Sequence, residues 1–284
     1  MQIIVRRWLR IYVRLEREAG INRHSVRGEH GTDGIDDGEM PMNPNEPYEG
    51  TEHALRLGRT GAAISLCGLL LSGPIGMAVV AAVQSQPEWQ GARNFVQHFH
   101  PIQIAPFLFG FALVGGSVAL MAAVHVLGDR RHRARTVTAL IFTATFAAFI
   151  FFNYLTQTAF VPSLAGHYSP ESDPIISTFT LSNPRSLSWG IEMWGYALLG
   201  VATWLAAPVF NRGGIERACT ALMVANGAAS IAGAAIVVID PGWLLNTAGM
   251  VCFIGWNILY AAMLLCIMRA LRSRAAMPAG AAMR

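Results

Sequence analysis

One carboxylate, Glu192, lies well inside a long apolar run, in the stretch Ser188-Trp189-Gly190-Ile191-Glu192-Met193-Trp194-Gly195-Tyr196. An intramembrane carboxylate is costly, by about 2.5 kcal/mol or more at the centre of a bilayer, and marks a functional site by default. Helical spacing puts Trp189, Glu192, Tyr196, Gly200 and Thr203 on one stripe, which should face protein and not lipid.

Candidate partners come from other runs. Asn153 and Gln157 are four residues apart and share a helical face near the end of theirs, and Asn246 stands at the start of the last run. Glu192, Asn153, Gln157, Tyr196 and Asn246 are therefore the expected binding residues, with a proton or a small molecule as the ligand. His98 and His100, in the loop His98-Phe99-His100-Pro101, are added as a cap over that site. Two residues apart, these histidines diverge on a helix and meet one metal only on an extended segment; with no third ligand at metal-site spacing, no metal site is expected. A blander role competes for Asn153, Gln157, Asn226, Ser230 and Asn257. Amides and hydroxyls also join membrane helices, at about 0.6 kcal/mol per bond in one measured system.

Other chemistry finds no support. Cys67, Cys219, Cys252 and Cys266 form no Cys-x-x-Cys pair, and the chain has no lysine for a Schiff base or a phosphate-binding loop. The stretch around Ser230 lacks the Gly-x-Ser-Gly spacing of intramembrane serine proteases, and the last apolar run offers no histidine as a base. No catalytic residue and no cofactor is expected.

The elements that must carry these residues follow from composition. At 53% hydrophobic and 13% charged, the chain lies outside the range of an ordinary soluble domain. Its apolar residues fall in six blocks, near 60–83, 102–128, 136–160, 187–210, 216–239 and 243–268, each able to cross about 30 Å of hydrocarbon. The expected fold is all-α, a polytopic membrane bundle of six transmembrane helices in an inner or plasma membrane.

All 21 basic residues are arginines, and all but Arg93 and Arg185 fall on one side of such a bundle. The excess of positive charge puts both termini in the cytoplasm. The positive net charge is thus a topology signal, and no nucleic-acid partner is expected. Residues 1–19 read as an amphipathic interfacial helix, with Ile4, Trp8, Ile11 and Leu15 opposite Arg7, Arg10, Arg14 and Arg17, although Met40 or Met42 could instead be the true start. Residues 20–59 read as a disordered cytoplasmic linker, 60–268 as the transmembrane domain and 269–284 as a basic cytoplasmic tail.

Two functions remain open. One is a small-solute or proton-linked transporter or sensor, with its site in the outer half around Glu192. The other is a non-catalytic scaffold or subunit, whose partner is another membrane protein or a second copy of the chain. The lipid bilayer is the partner common to both.

Overall fold

The computed structural model describes residues 49–84, 86–243 and 246–276. The interfacial helix expected over 1–19, most of the linker and the end of the basic tail lie outside these residues. The described chain is all-α, without a strand among the described residues, and the protein is a multi-pass membrane protein.

The first helix, α1, runs Glu49–Ser72, so residues 49–59 are helical and not linker. It is interrupted at Gly73, where Pro74 has no N–H to continue the ladder, and α2, Pro74–Val83, follows with none of its residues buried. A short α3, Ala92–His98, precedes α4, Ala105–Val126, where Pro106 occupies the first turn and so starts the helix without breaking it. Helix α5, Arg133–Leu155, runs into a π-helical turn, Thr156–Phe160, before α6, Val161–Gly166.

After α7, Asp173–Phe179, comes α8, Leu187–Ala206. Its cap is Ser186, which accepts from Trp189 N, while the Asn183 amide upstream donates to Ser177 O. Helices α9, Ile215–Ile239, and α10, Thr247–Ala276, complete the chain. The last helix takes in residues 269–276, expected as tail.

Five helical stretches are long and apolar enough to cross a membrane: Gly50–Val83, Pro101–Val126, Arg130–Gly166, Ile215–Ile239 and Thr247–Ala276. The sixth expected span, α8, is less apolar because Trp189, Glu192, Trp194, Tyr196 and Trp204 interrupt its aliphatic residues. It nevertheless lies between α5 and α9 like the other long helices between their neighbours.

The six long helices close into a ring in chain order. Each of α1, α4, α5, α8, α9 and α10 packs on the next, and α10 returns to α1. Small residues permit the contacts. A Cβ on Gly68 would lie 2.3 Å from Leu113 N, and one on Gly116 would lie 2.4 Å from Ser65 N, so α1 and α4 touch backbone to backbone. Gly227 approaches Gly200 O in the same way and joins α9 to α8.

Polar groups then pin the interior. Ser65 and Ser117 meet at 2.9 Å, and Ser117 meets the Tyr260 hydroxyl at 2.9 Å, tying α1, α4 and α10 together. At the arginine-rich end, Arg274 donates to both oxygens of Glu216 at 2.7 and 2.9 Å and to Val209 O at 2.8 Å, and its guanidinium lies over the Phe210 ring. Nearby, Cys219 and Cys266 bring their Sγ atoms to 3.0 Å although they stand far apart in the sequence.

Candidate functional site

The stripe of α8 that carries Trp189, Glu192 and Tyr196 faces a cavity of about 1210 Å³ at the end of the ring away from the arginine cluster. Its wall takes in Met77 of α2, Phe107 of α4, Tyr154 of α5, Ser230 of α9 and Trp256 and Asn257 of α10. Loop residues Glu88, Trp89 and Leu181 close part of its mouth.

Glu192 is held from α5. The Asn153 amide donates to Oε2 at 2.8 Å, and the Tyr154 hydroxyl donates to Oε1 at 3.0 Å. The Tyr196 hydroxyl lies 3.1 Å from that of Tyr154. Since the one hydroxyl proton of Tyr154 goes to Glu192, Tyr196 is the donor in this second contact. Three donors thus converge, directly or in relay, on one carboxylate.

Asn153 is fully buried, and its Nδ2 also donates to Ser188 O at 3.1 Å, fixing α5 against the first turn of α8. Gln157 does not reach Glu192. It donates to Phe179 O at 2.6 Å and accepts from Leu181 N at 3.1 Å, so it holds the α7–α8 loop down on the π-helical turn. That turn rotates the end of α5, and single π turns of this kind recur at functional sites.

Three expected site residues are elsewhere. Asn246 is exposed and caps α10 by accepting from Gly249 N at 2.8 Å. His98 pairs with Asn94 O of its own helix, and His100 accepts from Ile102 N. Neither histidine lines the cavity, and Nδ1 of each is engaged by local backbone; Phe99 and Gln103 of the same segment line it instead.

The cap over the cavity is a small apolar cluster of its own, Ala92 and Phe95 of α3 packed on Val161 and Ile176. Ser182 Oγ donates to Gln86 Oε1 at 3.1 Å and links the two long loops. On that cap, a hydrogen bond to Asp173 pushes the Tyr168 phenol above its ordinary value.

Tyr154 is the residue that sequence reasoning missed. It stands next to Asn153, but a tyrosine in Phe-Phe-Asn-Tyr-Leu reads as one more apolar aromatic. Only its hydroxyl, aimed across at α8, marks it.

The chemistry on offer is binding and proton exchange. Among the described residues no group of three or more His, Cys, Asp or Glu could hold a metal ion. Together, the spans and the ring define a multi-pass helical membrane protein with a largely apolar cavity that has Glu192 in its wall. No family model, curated protein or solved structure matches the chain.

Proposed function

We propose that the protein is a six-span membrane protein with both termini in the cytoplasm, and that it handles a small solute by binding it in the outward-facing cavity around Glu192. Helix α8 is 20 residues long, about 30 Å at 1.5 Å per residue, and its packing between α5 and α9 supports reading it as a sixth span. Orientation rests on the arginines: Arg56, Arg130, Arg212 and Arg274 and their neighbours share one end of the ring, against Arg93 and Arg185 at the other. In this reading residues 49–276 hold the transmembrane unit, and transport or sensing proceeds through proton exchange at Glu192.

A single observation carries the reading: the one carboxylate of the cavity wall that sits inside a span is also the convergence point of Asn153, Tyr154 and Tyr196. A carboxylate kept only to join helices would not need a cavity of about 1210 Å³ beside it.

The test uses dicyclohexylcarbodiimide, which modifies protonated carboxyls in apolar surroundings, on membranes containing the full chain. Peptide mass mapping should find the adduct on Glu192, decreasing toward alkaline pH, and Glu192→Gln should melt near the wild-type temperature in detergent. Absence of the adduct at every pH would leave Glu192 a sealed structural contact and make the scaffold reading the better one.

A further inference from the structure

The wall of the cavity restricts the chemistry of its occupant, beginning with charge. The Tyr154 oxygen can accept from a protonated Glu192 and turn its own O–H to Tyr196, whereas with Glu192 ionised Asn153 and Tyr154 both donate to it and Tyr196 backs Tyr154. The arrangement serves the anion as well as the acid. Yet among the residues that line the cavity there is no arginine or histidine, and Glu88 on the cap is the only other charged side chain. The titratable groups nearest Glu192 are Tyr154 from α5 and Tyr196 from its own helix, with Tyr260 of α10 one ring further away, and the Cys252 thiol of α10 lines the cavity wall; α1, α2, α4 and α9 present none to the cavity. A buried anion without a counter-charge is costly, so a positive charge must come from solution.

Size and surface narrow the candidates. A proton needs no volume, and a bare metal ion needs a cage of oxygen, nitrogen or sulfur ligands that the described residues do not form. The cavity is larger than the sites of many drug-sized ligands, which run about 300–1,000 Å³. Four of the chain's 7 tryptophans line it, Trp89, Trp189, Trp243 and Trp256. Trp256 stacks on Tyr260 at 5.3 Å and meets Tyr196 edge-on at 5.0 Å, and its indole N–H is fixed on Ser230 Oγ at 2.9 Å. Such faces attract organic cations and exclude strongly hydrated solutes.

Resting on the solute-binding reading above, we propose that the ligand is a lipophilic organic cation, an aryl- or alkyl-substituted ammonium or phosphonium. Its charge lies against Glu192 and its hydrocarbon groups lie on the tryptophan wall. Entry of a monovalent cation releases the proton that neutralises Glu192 in the empty cavity, so one positive charge replaces another.

The test compares two ions of the same shape and opposite charge, tritiated tetraphenylphosphonium and tetraphenylborate, on the full chain in nanodiscs. Tetraphenylphosphonium should bind saturably, lose affinity on acidification and protect Glu192 from dicyclohexylcarbodiimide, while tetraphenylborate should not. Glu192→Gln should weaken phosphonium binding by about ten-fold or more, and Glu192→Asp, which keeps the charge, should retain most of it. Trp256→Leu should weaken it several-fold with the carboxylate intact. Equal binding of both ions, or unchanged binding to a Glu192→Gln protein that melts normally, overturns the cation class. If carbodiimide still modifies Glu192 but tetraphenylphosphonium neither binds nor protects, the cation class falls and the solute cavity stands. If carbodiimide never modifies Glu192, both fall.

Discussion

Gly110 of α4 faces the ring of Tyr154 so closely that a Cβ at Gly110 would lie 2.2 Å from Tyr154 Cε2. The missing side chain makes the slot in which Tyr154 lies, and Phe107 and Phe111 pack on the ring at 5.6 and 6.0 Å. Gly110→Ala must therefore push the ring away, at an overpacking cost of about 1–3 kcal/mol. The expected result is a lower melting temperature together with faster carbodiimide reaction at Glu192, whose Oε1 loses its donor. Tyr154→Phe should give the faster reaction with a smaller loss of stability, and equal reactivity in all three proteins would show that the hydroxyl does not restrain the carboxylate.

Asn153 joins two jobs in one amide, since Nδ2 serves both Glu192 and Ser188 O. Removing it in Asn153→Ala leaves a buried carbonyl and a buried carboxylate each short of a donor, at about 1–3 kcal/mol for an unsatisfied buried group. In a double-mutant cycle with Glu192→Gln, melting in detergent should show losses that do not add, because the second change removes the charge that the first one stranded. Strict additivity would mean that the two side chains do not depend on each other.

The apolar spans were legible because composition and block length speak directly to a bilayer, but their ends were not, since α1 starts at Glu49 and α10 runs to Ala276 on polar turns that hydropathy does not register. Asn153 and Gln157 were legible as polar residues on one face, but the face does not reveal the partner. A π-helical turn begins at Thr156, so Gln157 is carried past Glu192 toward the α7–α8 loop. Cys219 and Cys266 could not be paired from the sequence, since ring order and register alone bring them together. His98, His100 and Asn246 stand away from Glu192 for the reverse reason: each makes a hydrogen bond to backbone within five residues, which no polar-residue count registers.

Sidedness is open to direct labelling. With native cysteines replaced, a cysteine at Gln97 or Ser163, both exposed on the cap, should react with an impermeant maleimide outside intact cells. One at Ala134, exposed in the first turn of α5, should react only after lysis. The opposite pattern would turn the protein over in the membrane and make the Glu192 cavity face the cytoplasm.

The Glu216–Arg274 pair is buried on both sides, with 5% of each side chain exposed. Breaking such a pair from one side strands a charge, at about 3–5 kcal/mol. Arg274→Ala should therefore melt far below wild type, whereas Glu216→Gln with Arg274→Leu should recover much of the loss, as measured by thermal unfolding in detergent. Phosphonium binding in the double variant should be normal, because the pair lies at the other end of the ring.

The ring order of the helices has a kinetic consequence. Nearly all the packing between long helices joins neighbours in the chain, apart from a small touch of α4 on α8, so α1 through α9 can associate in order as each emerges, and lengthening the two outer connections adds little closure entropy. The larger exception is the seam between α10 and α1, where Leu271 meets Gly58 and Asn257 meets Gly73. Until that last helix docks, the wall that Trp256 and Asn257 supply is missing and an open trough stands in place of the cavity, so the enclosed space beside Glu192 is the final thing the chain makes. A chain truncated before Thr247 would leave that carboxylate facing lipid, a state that membrane quality control can recognise.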